Sequence, residues 1–169
     1  IHEEDFRRWQ KAWADELSLG KISIFYEEKP RGTFGGMEPL REWLGDEHFI
    51  FSNGDELKDF DLSALAKFHK EHGPIGTIAL VQVPNPQEYG VPVLEGHRVV
   101  DFLEKPEKPP SDYINSGLYV LSPEIFNLAD FSKDTLMIER DIFPKLAAEG
   151  KLNGLRMEGG RWYDCGNLE

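Results

Sequence analysis

Cysteine is almost missing from this chain: Cys165 is the only one in 169 residues. No intrachain disulfide can form, and a reducing, cytoplasmic compartment fits. Long apolar runs are missing too; none approaches the roughly 20 residues that span a bilayer, so no membrane partner is expected. Positive charge is scarce, with 19 Lys and Arg against 31 Asp and Glu and a formal net charge of -12. A protein that tracks nucleic-acid phosphates needs a basic face, so nucleic acid is not an expected partner. A single nucleotide stays compatible, because a metal ion and a few local Lys or Arg can neutralise its phosphates. No Gly-Lys-Ser/Thr follows a glycine-rich loop, which excludes a P-loop. The five histidines lack metal-ligand spacing; His69 and His72 lie three apart on a helical pattern with no Cys or further His beside them. Ser52 and Ser116 have no recognisable base, so a hydrolase triad is not supported.

What is present fits one soluble domain spanning 1–169. Hydrophobic residues make up 40% and charged residues 30%, enough for a core beneath a polar surface. The chain opens on Ile1 in a helical pattern and stops at Glu169 just after a motif, so both ends read as cut.

Phe6, Trp9, Trp13 and Leu17 recur at helical spacing and predict an amphipathic helix over 3–17. The β-branched alternation of 21–26 predicts a strand. Pro30, Gly32, Gly35 and Gly36 make 27–36 a loop, and 37–44 reads as a short helix. The compact apolar run 48–52 predicts a strand buried on both faces. A helix capped by Asp61 follows. Strands are predicted at 77–83 and 114–121, the latter interrupted by Ser116-Gly117. A hairpin joins 91–94 to 98–104 across 95–97. A helix over 138–149 ends at Gly150, and late strands fall at 152–157 and 161–163. Alternating strands and helices with one hairpin indicate an α/β domain with a mixed sheet.

Several short segments could carry chemistry, and each also has a plain structural reading. Asn53-Gly54-Asp55 follows a predicted strand, where open α/β sheets bind ligands. Asp55 could hold a hard divalent cation there, or the segment could be a simple Asn-Gly turn. Gly32, Gly35 and Gly36 let backbone amides approach a flat or anionic ligand, or they merely connect strand to helix. Glu104-Lys105-Pro106 ends a strand: a carboxylate for sugar hydroxyls beside an ammonium for a phosphate, or a solvated ion pair. Tyr89-Gly90 and Asn115-Ser116-Gly117 put small residues into strand patterns, marking a bulge or a close ligand approach. Trp162-Tyr163-Asp164-Cys165-Gly166 places an acid after an aromatic strand, for a cation or for a turn.

Taken in order, these segments resemble the sugar-1-phosphate nucleotidyltransferases, also called NDP-sugar pyrophosphorylases. The run is Glu28-Lys29-Pro30-x-Gly32-Thr33-x-Gly35-Gly36, Phe51-Ser52-Asn53-Gly54-Asp55, Phe68-His69, Tyr89-Gly90, Phe102-Leu103-Glu104-Lys105-Pro106, Ile114-Asn115-Ser116-Gly117-Leu118-Tyr119, Glu139-Arg140-Asp141-Ile142-Phe143-Pro144 and Trp162-Tyr163-Asp164-Cys165-Gly166. The resemblance implies a Rossmann-like nucleotidyltransferase domain with a mixed, mainly parallel sheet flanked by helices. It implies transfer of a nucleotidyl group from an NTP to a sugar-1-phosphate, giving an NDP-sugar and pyrophosphate. Asp55 and Asp164 would then be Mg²⁺ ligands. Gly32, Thr33, Gly35 and Gly36 would contact base and ribose, with Asn53 and Gly54 also among the substrate-binding residues. Gly90, Glu104 and Asn115 would hold the sugar, and Lys105 its phosphate side.

The family's N-terminal G-x-G-T-R-L-x-P segment, which binds the triphosphate, is not in this sequence. The expectation is an N-terminally truncated domain without its first strands and phosphate loop, with apolar sheet edges exposed. Arg31 also stands where the family has an apolar residue. Mannose-1-phosphate with GTP, and glucose-1-phosphate with dTTP or UTP, are the expected substrate pairs, and assembly into a homo-oligomer is left open. The alternatives are a non-catalytic sugar-nucleotide-binding or regulatory homologue and a metal-dependent glycosyltransferase-like domain.

Overall fold

The structure, a computed structural model, describes residues 3–166. It opens with two short helices, α1 (Glu3–Ala12) and α2 (Ala14–Ser18), in place of one over 3–17. The break is slight: Leu17 N still donates to Trp13 O at 3.0 Å. Helical turns α3 (Gly32–Gly35) and α4 (Arg41–Leu44) follow, then strands β1 (Phe49–Ser52) and β2 (Glu56–Asp59), helix α5 (Leu62–His72) and strand β3 (Gly76–Gln82). Strands β4 (Gly90–Glu95) and β5 (Arg98–Glu104) form the expected hairpin, and β6 (Tyr113–Leu121), α6 (Phe143–Ala148), β7 (Leu152–Arg156) and β8 (Arg161–Asp164) complete the order. Among the described residues no helix is long and apolar enough to cross a membrane.

The main sheet runs β1-β6-β3-β7-β5-β4, and β2 pairs with β8 in a separate ribbon. The fold is the expected α/β arrangement with a mixed sheet. The expected parallel majority is not found: only β3 and β7 pair in parallel, while β1–β6, β3–β6, β4–β5 and β5–β7 are antiparallel. The hairpin and the return of β6 beside β3 impose those directions.

Two other expectations are corrected. Residues 21–26 form no strand, because no described strand lies alongside them; the segment has no regular structure, and Phe25 and Tyr26 are exposed. The run at 48–52 is an edge strand, not one buried on both faces: β1 bonds only to β6, and Ile50 is 47% exposed. The strand β2 has no counterpart among the predicted elements, since Glu56-Leu57-Lys58-Asp59 carries one apolar residue in four.

The buried centre is β3 and β6. Ile78 and Leu80 point into one cluster with Tyr119, Phe143 and Leu146, while Ala79 and Val81 face the opposite side with Leu65, Leu118 and Ile114. Helix α5 covers that second side. Asp61 caps it as expected, accepting from Ala64 N at 3.0 Å. His69 fixes it to the sheet: its Nδ1 lies 2.8 Å from Thr77 Oγ1 and its Nε2 2.8 Å from His48 Nδ1.

The irregularity in β6 decides where the loops go. Ile78 pairs with Tyr119 and Leu80 with Asn115, so Ser116, Gly117 and Leu118 together face Ala79. Ser116 Oγ closes the gap by donating to Ala79 O at 2.7 Å. Gly117 takes φ +64°, a conformation that side chains with a Cβ rarely adopt. Its carbonyl then receives Asn53 N at 2.8 Å and holds the segment after β1.

Two outcomes follow for stability. Burial, and then the neighbouring His48, lower the His69 pKa to about 4. The unfolded chain therefore binds this proton more readily, and stability falls as pH drops from about 6.5 toward 4, by up to about 3 kcal/mol. Urea unfolding across that window should show the slope in the wild type and lose it in His69→Gln. Gly117→Ala forces a methyl into a positive φ and against Glu56 Oε2. A loss of about 1–3 kcal/mol is expected, read as a lower urea midpoint at constant slope.

Candidate active site

The site begins where β1 stops. Asn53-Gly54-Asp55 leaves the sheet edge and leads into β2, which pairs antiparallel with β8 in the register Glu56↔Asp164. One step further, Cys165 N donates to Asp55 O at 2.9 Å. Residues more than a hundred positions apart are thereby laid side by side. A methyl on Gly166 would stand 3.3 Å from Asp164 Oδ1 and 3.4 Å from Asp55 Oδ2. Both carboxylates thus converge on one small volume that glycine leaves open.

Asp164 is held from two sides. Gly166 N donates to its Oδ1 at 2.9 Å, and Tyr89 OH to its Oδ2 at 3.3 Å. Tyr89 packs edge-on against Trp162, with ring centroids 5.3 Å apart. The Trp162 indole donates to Ser116 O at 3.2 Å, tying β8 to the β6 irregularity. Burial, reinforced by the Asp164 charge, raises the Tyr89 pKa, so its hydroxyl stays a donor.

The facing wall comes from the hairpin. Gly90 pairs with Glu104 across β4 and β5. A Cβ at Gly90 would lie 2.6 Å from the Phe102 ring and 3.1 Å from Glu104 Oε2, so only glycine lets that carboxylate lie over the strand. Lys105 follows with φ 47°, and it is the one non-glycine residue with positive φ among the described residues. Its amide donates to Tyr89 O at 3.1 Å, which keeps the strained turn in place.

Asn115 and Glu139 form the floor. Asn115 Oδ1 accepts from Gly117 N at 3.0 Å, and its Nδ2 donates to Tyr119 OH at 2.8 Å. Glu139 is buried and accepts from Thr33 Oγ1 at 2.7 Å. Burial raises its pKa, and the Thr33 bond opposes the rise only in part. Beneath Asp55, Glu56 pairs with Lys58 at 2.7 Å, and burial likewise raises the Glu56 pKa.

Together these groups line a cleft of about 650 Å³ that holds Asn53, Asp55, Gly90, Glu104, Lys105, Asn115 and Asp164. Gly54 lies between two of them in the chain. Gly32, Thr33, Gly35 and Gly36 do not line it. The reason is packing: a Cβ at Gly32 would meet Leu136 O at 2.6 Å, and one at Gly36 would meet Glu27 Oε1 at 2.5 Å. These glycines allow close approach of protein to protein, and Thr33 reaches the cleft only through Glu139. Glu56, Glu139 and Arg140 also line it. The segment from Glu139 to Pro144 is visible in the sequence as a motif without an evident chemical role, and Glu56 carries no signal beyond its place next to Asp55.

No group of three or more His, Cys, Asp or Glu suited to a metal ion occurs among the described residues. Two converging carboxylates do suit Mg²⁺, which is commonly bound by one or two carboxylates plus substrate phosphates. The donor set is all oxygen, as a hard cation requires.

The model of the nucleotidyl transferase family matches residues 1–169. The chain is 40% identical over 158 residues to the mannose-1-phosphate guanylyltransferase catalytic subunit beta of Danio rerio, covering 90% of this chain and 43% of that protein. It is 36% identical over 165 residues to the mannose-1-phosphate guanylyltransferase of Mycobacterium tuberculosis, covering 95% and 45%. The chain thus spans less than half the length of these relatives. In fold it is similar to a crystal structure assigned as a glucose-1-phosphate thymidylyltransferase from Bacillus anthracis in complex with sucrose. There the TM-score is 0.81 at 21% identity, over 99% of this chain and 68% of that one. HddC of Yersinia pseudotuberculosis, complexed with GMP-PN, gives a TM-score of 0.71 at 22% identity, over 94% and 69%. With a match along its whole length and a cleft built from the motifs that suggested it, the chain belongs to the nucleotidyl transferase family.

Proposed function

We propose that this protein transfers a nucleotidyl group from an NTP to a sugar-1-phosphate, giving an NDP-sugar and pyrophosphate. The observation that carries the reading is the convergence of Asp55 and Asp164 at a cleft whose other wall offers Glu104 and Lys105. Mannose-1-phosphate with GTP is the first substrate pair to test, following the names of the relatives, and glucose-1-phosphate with dTTP or UTP the second. The reading includes a cytoplasmic enzyme whose substrates are these two small molecules, and homo-oligomeric assembly is compatible with it.

The chemistry needs positioning and charge neutralisation more than a protein nucleophile. A phosphate oxygen of the sugar-1-phosphate attacks the α-phosphorus of the NTP, and the bond to the β-phosphate oxygen breaks as pyrophosphate leaves. Glu104 accepts hydrogen bonds from sugar hydroxyls, and Gly90 lets the ring come close to the strand. Asn115 is pre-oriented by Tyr119 and Gly117 N, so it meets the sugar without reorganising. The Lys105 ammonium, without a partner among the described residues, faces the sugar phosphate. Asp55 and Asp164 would together hold Mg²⁺, which would neutralise charge on the nucleotide phosphates when bound. Tyr89 and the Gly166 amide keep the Asp164 carboxylate aimed.

Steady-state assay of pyrophosphate release by the full-length protein, over a panel of NTPs and sugar-1-phosphates, tests the reading. Turnover is expected for at least one pair and only with a divalent cation; no release with any pair would reject it. In the productive pair, Asp55→Asn and Asp164→Asn should each lower kcat by about a hundredfold or more, with unchanged circular dichroism. Lys105→Ala should raise the KM for sugar-1-phosphate far more than that for NTP, and equal increases would remove the role given to it.

A further inference from the structure

We propose that Arg140 binds the phosphate of the sugar-1-phosphate opposite Lys105, an inference that rests on the nucleotidyl-transfer reading. The cleft is lined by six carboxylates, and Lys105 and Arg140 are its two cations. A phosphate entering so acidic a space is repelled unless cations face it. Lys105 is a point charge, whereas a guanidinium can grip two phosphate oxygens at once.

Arg140 is held in readiness for such a ligand. Other arginines are committed to protein groups: Arg31 to Glu38, Arg41 to Asn127 and Arg161 to Asp59, each at 2.8 Å. The Arg140 guanidinium makes no hydrogen bond or ion pair among the described residues. Its backbone, by contrast, is pinned. It lies in a π-helical turn, Ile138–Ile142, a widened geometry often found at functional sites. Ile138 N donates to Thr33 Oγ1 at 2.9 Å and Met137 N to Asp141 Oδ2 at 2.8 Å, while Lys133 pairs with Asp141 from outside. The turn thus sends Glu139 inward and Arg140 into the open cleft.

The position favours the sugar phosphate over the nucleotide. Glu139, next to Arg140 in the chain, lines the cleft with Glu104 and Asn115, and Asn115 is fixed by Tyr119 OH at 2.8 Å. Arg140 shares the cleft with Glu104, Lys105 and Asn115, the groups assigned to the sugar-1-phosphate. A solvated arginine with no ligand is the competing description, and binding measurements separate the two.

The experiment uses the full-length protein and its Arg140→Gln and Arg140→Lys variants, each titrated calorimetrically with mannose-1-phosphate, glucose-1-phosphate, the two free sugars and Mg-NTP. Arg140→Gln should weaken the bound sugar-1-phosphate by about tenfold or more and change NTP affinity by less than about twofold. Free-sugar affinity should not fall, and Arg140→Lys should recover part of the loss. Unchanged sugar-1-phosphate affinity in Arg140→Gln overturns the proposal, as does an equal loss for NTP or for free sugar. A wild type that binds neither sugar-1-phosphate rejects the nucleotidyl-transfer reading and this proposal with it. A wild type that binds one, with Arg140→Gln unaffected, rejects the role of Arg140 alone.

Discussion

The meeting of the two aspartates at the cleft depends on one short pairing, that of β2 with β8. Neither strand belongs to the main sheet, and each is only four residues long. Their register sets Asp55 beside Cys165 and Asp164 beside Glu56, so two carboxylates from opposite parts of the chain share a volume. Bringing two like charges together costs energy, which the pairing and its supports offset. Those supports are the Trp162 indole on Ser116 O, the Tyr89 hydroxyl on Asp164 and the Lys58–Glu56 pair beneath. A two-stranded ribbon is marginal by itself, so the bonds from Tyr89 and to Ser116, with Lys58 Nζ donating to Asn53 O at 3.4 Å, are what make it a fixed part of the fold.

The β6 irregularity is the second constraint, and it serves both walls. Placing three residues opposite Ala79 lets Gly117 O hold Asn53 and lets Ser116 O receive Trp162. It also turns Asn115 so that its carboxamide is fixed by Gly117 N and Tyr119. One local departure from a regular strand therefore positions the Asn53–Asp55 loop, the aromatic strand and the Asn115 amide together. Glycine at 117 is required by both its positive φ and the Glu56 carboxylate pressed against it.

Much of this is legible in the sequence, for physical reasons that differ from one residue to the next. Gly90, Ser116 and Gly117 stand out because small residues inside a β-branched run mark a bulge or a close approach. Asp55 and Asp164 are legible through their place after strands. The strand β2 is not, since its stability comes from pairing with β8 rather than from its own pattern. Residues 21–26 mislead in the opposite direction: their alternation is real, but a strand also needs a neighbour. The glycines at 32–36 give a correct signal of close approach, and in the structure protein groups such as Leu136 O and Glu27 Oε1 come close to them. Arg140 carries no signal of its own in the sequence; its place in the cleft, seen in three dimensions, sets it apart.

The central claim is that Asp55 and Asp164 act on one cation rather than as separate acidic residues. The direct measurement is Mn²⁺ binding by electron paramagnetic resonance, in the presence of NTP, to the full-length wild type, Asp55→Asn, Asp164→Asn and the double variant. A shared ion predicts strong coupling, with the double variant binding about as weakly as either single one. Losses that simply add in the double variant, or a single variant that binds like wild type, would contradict the account.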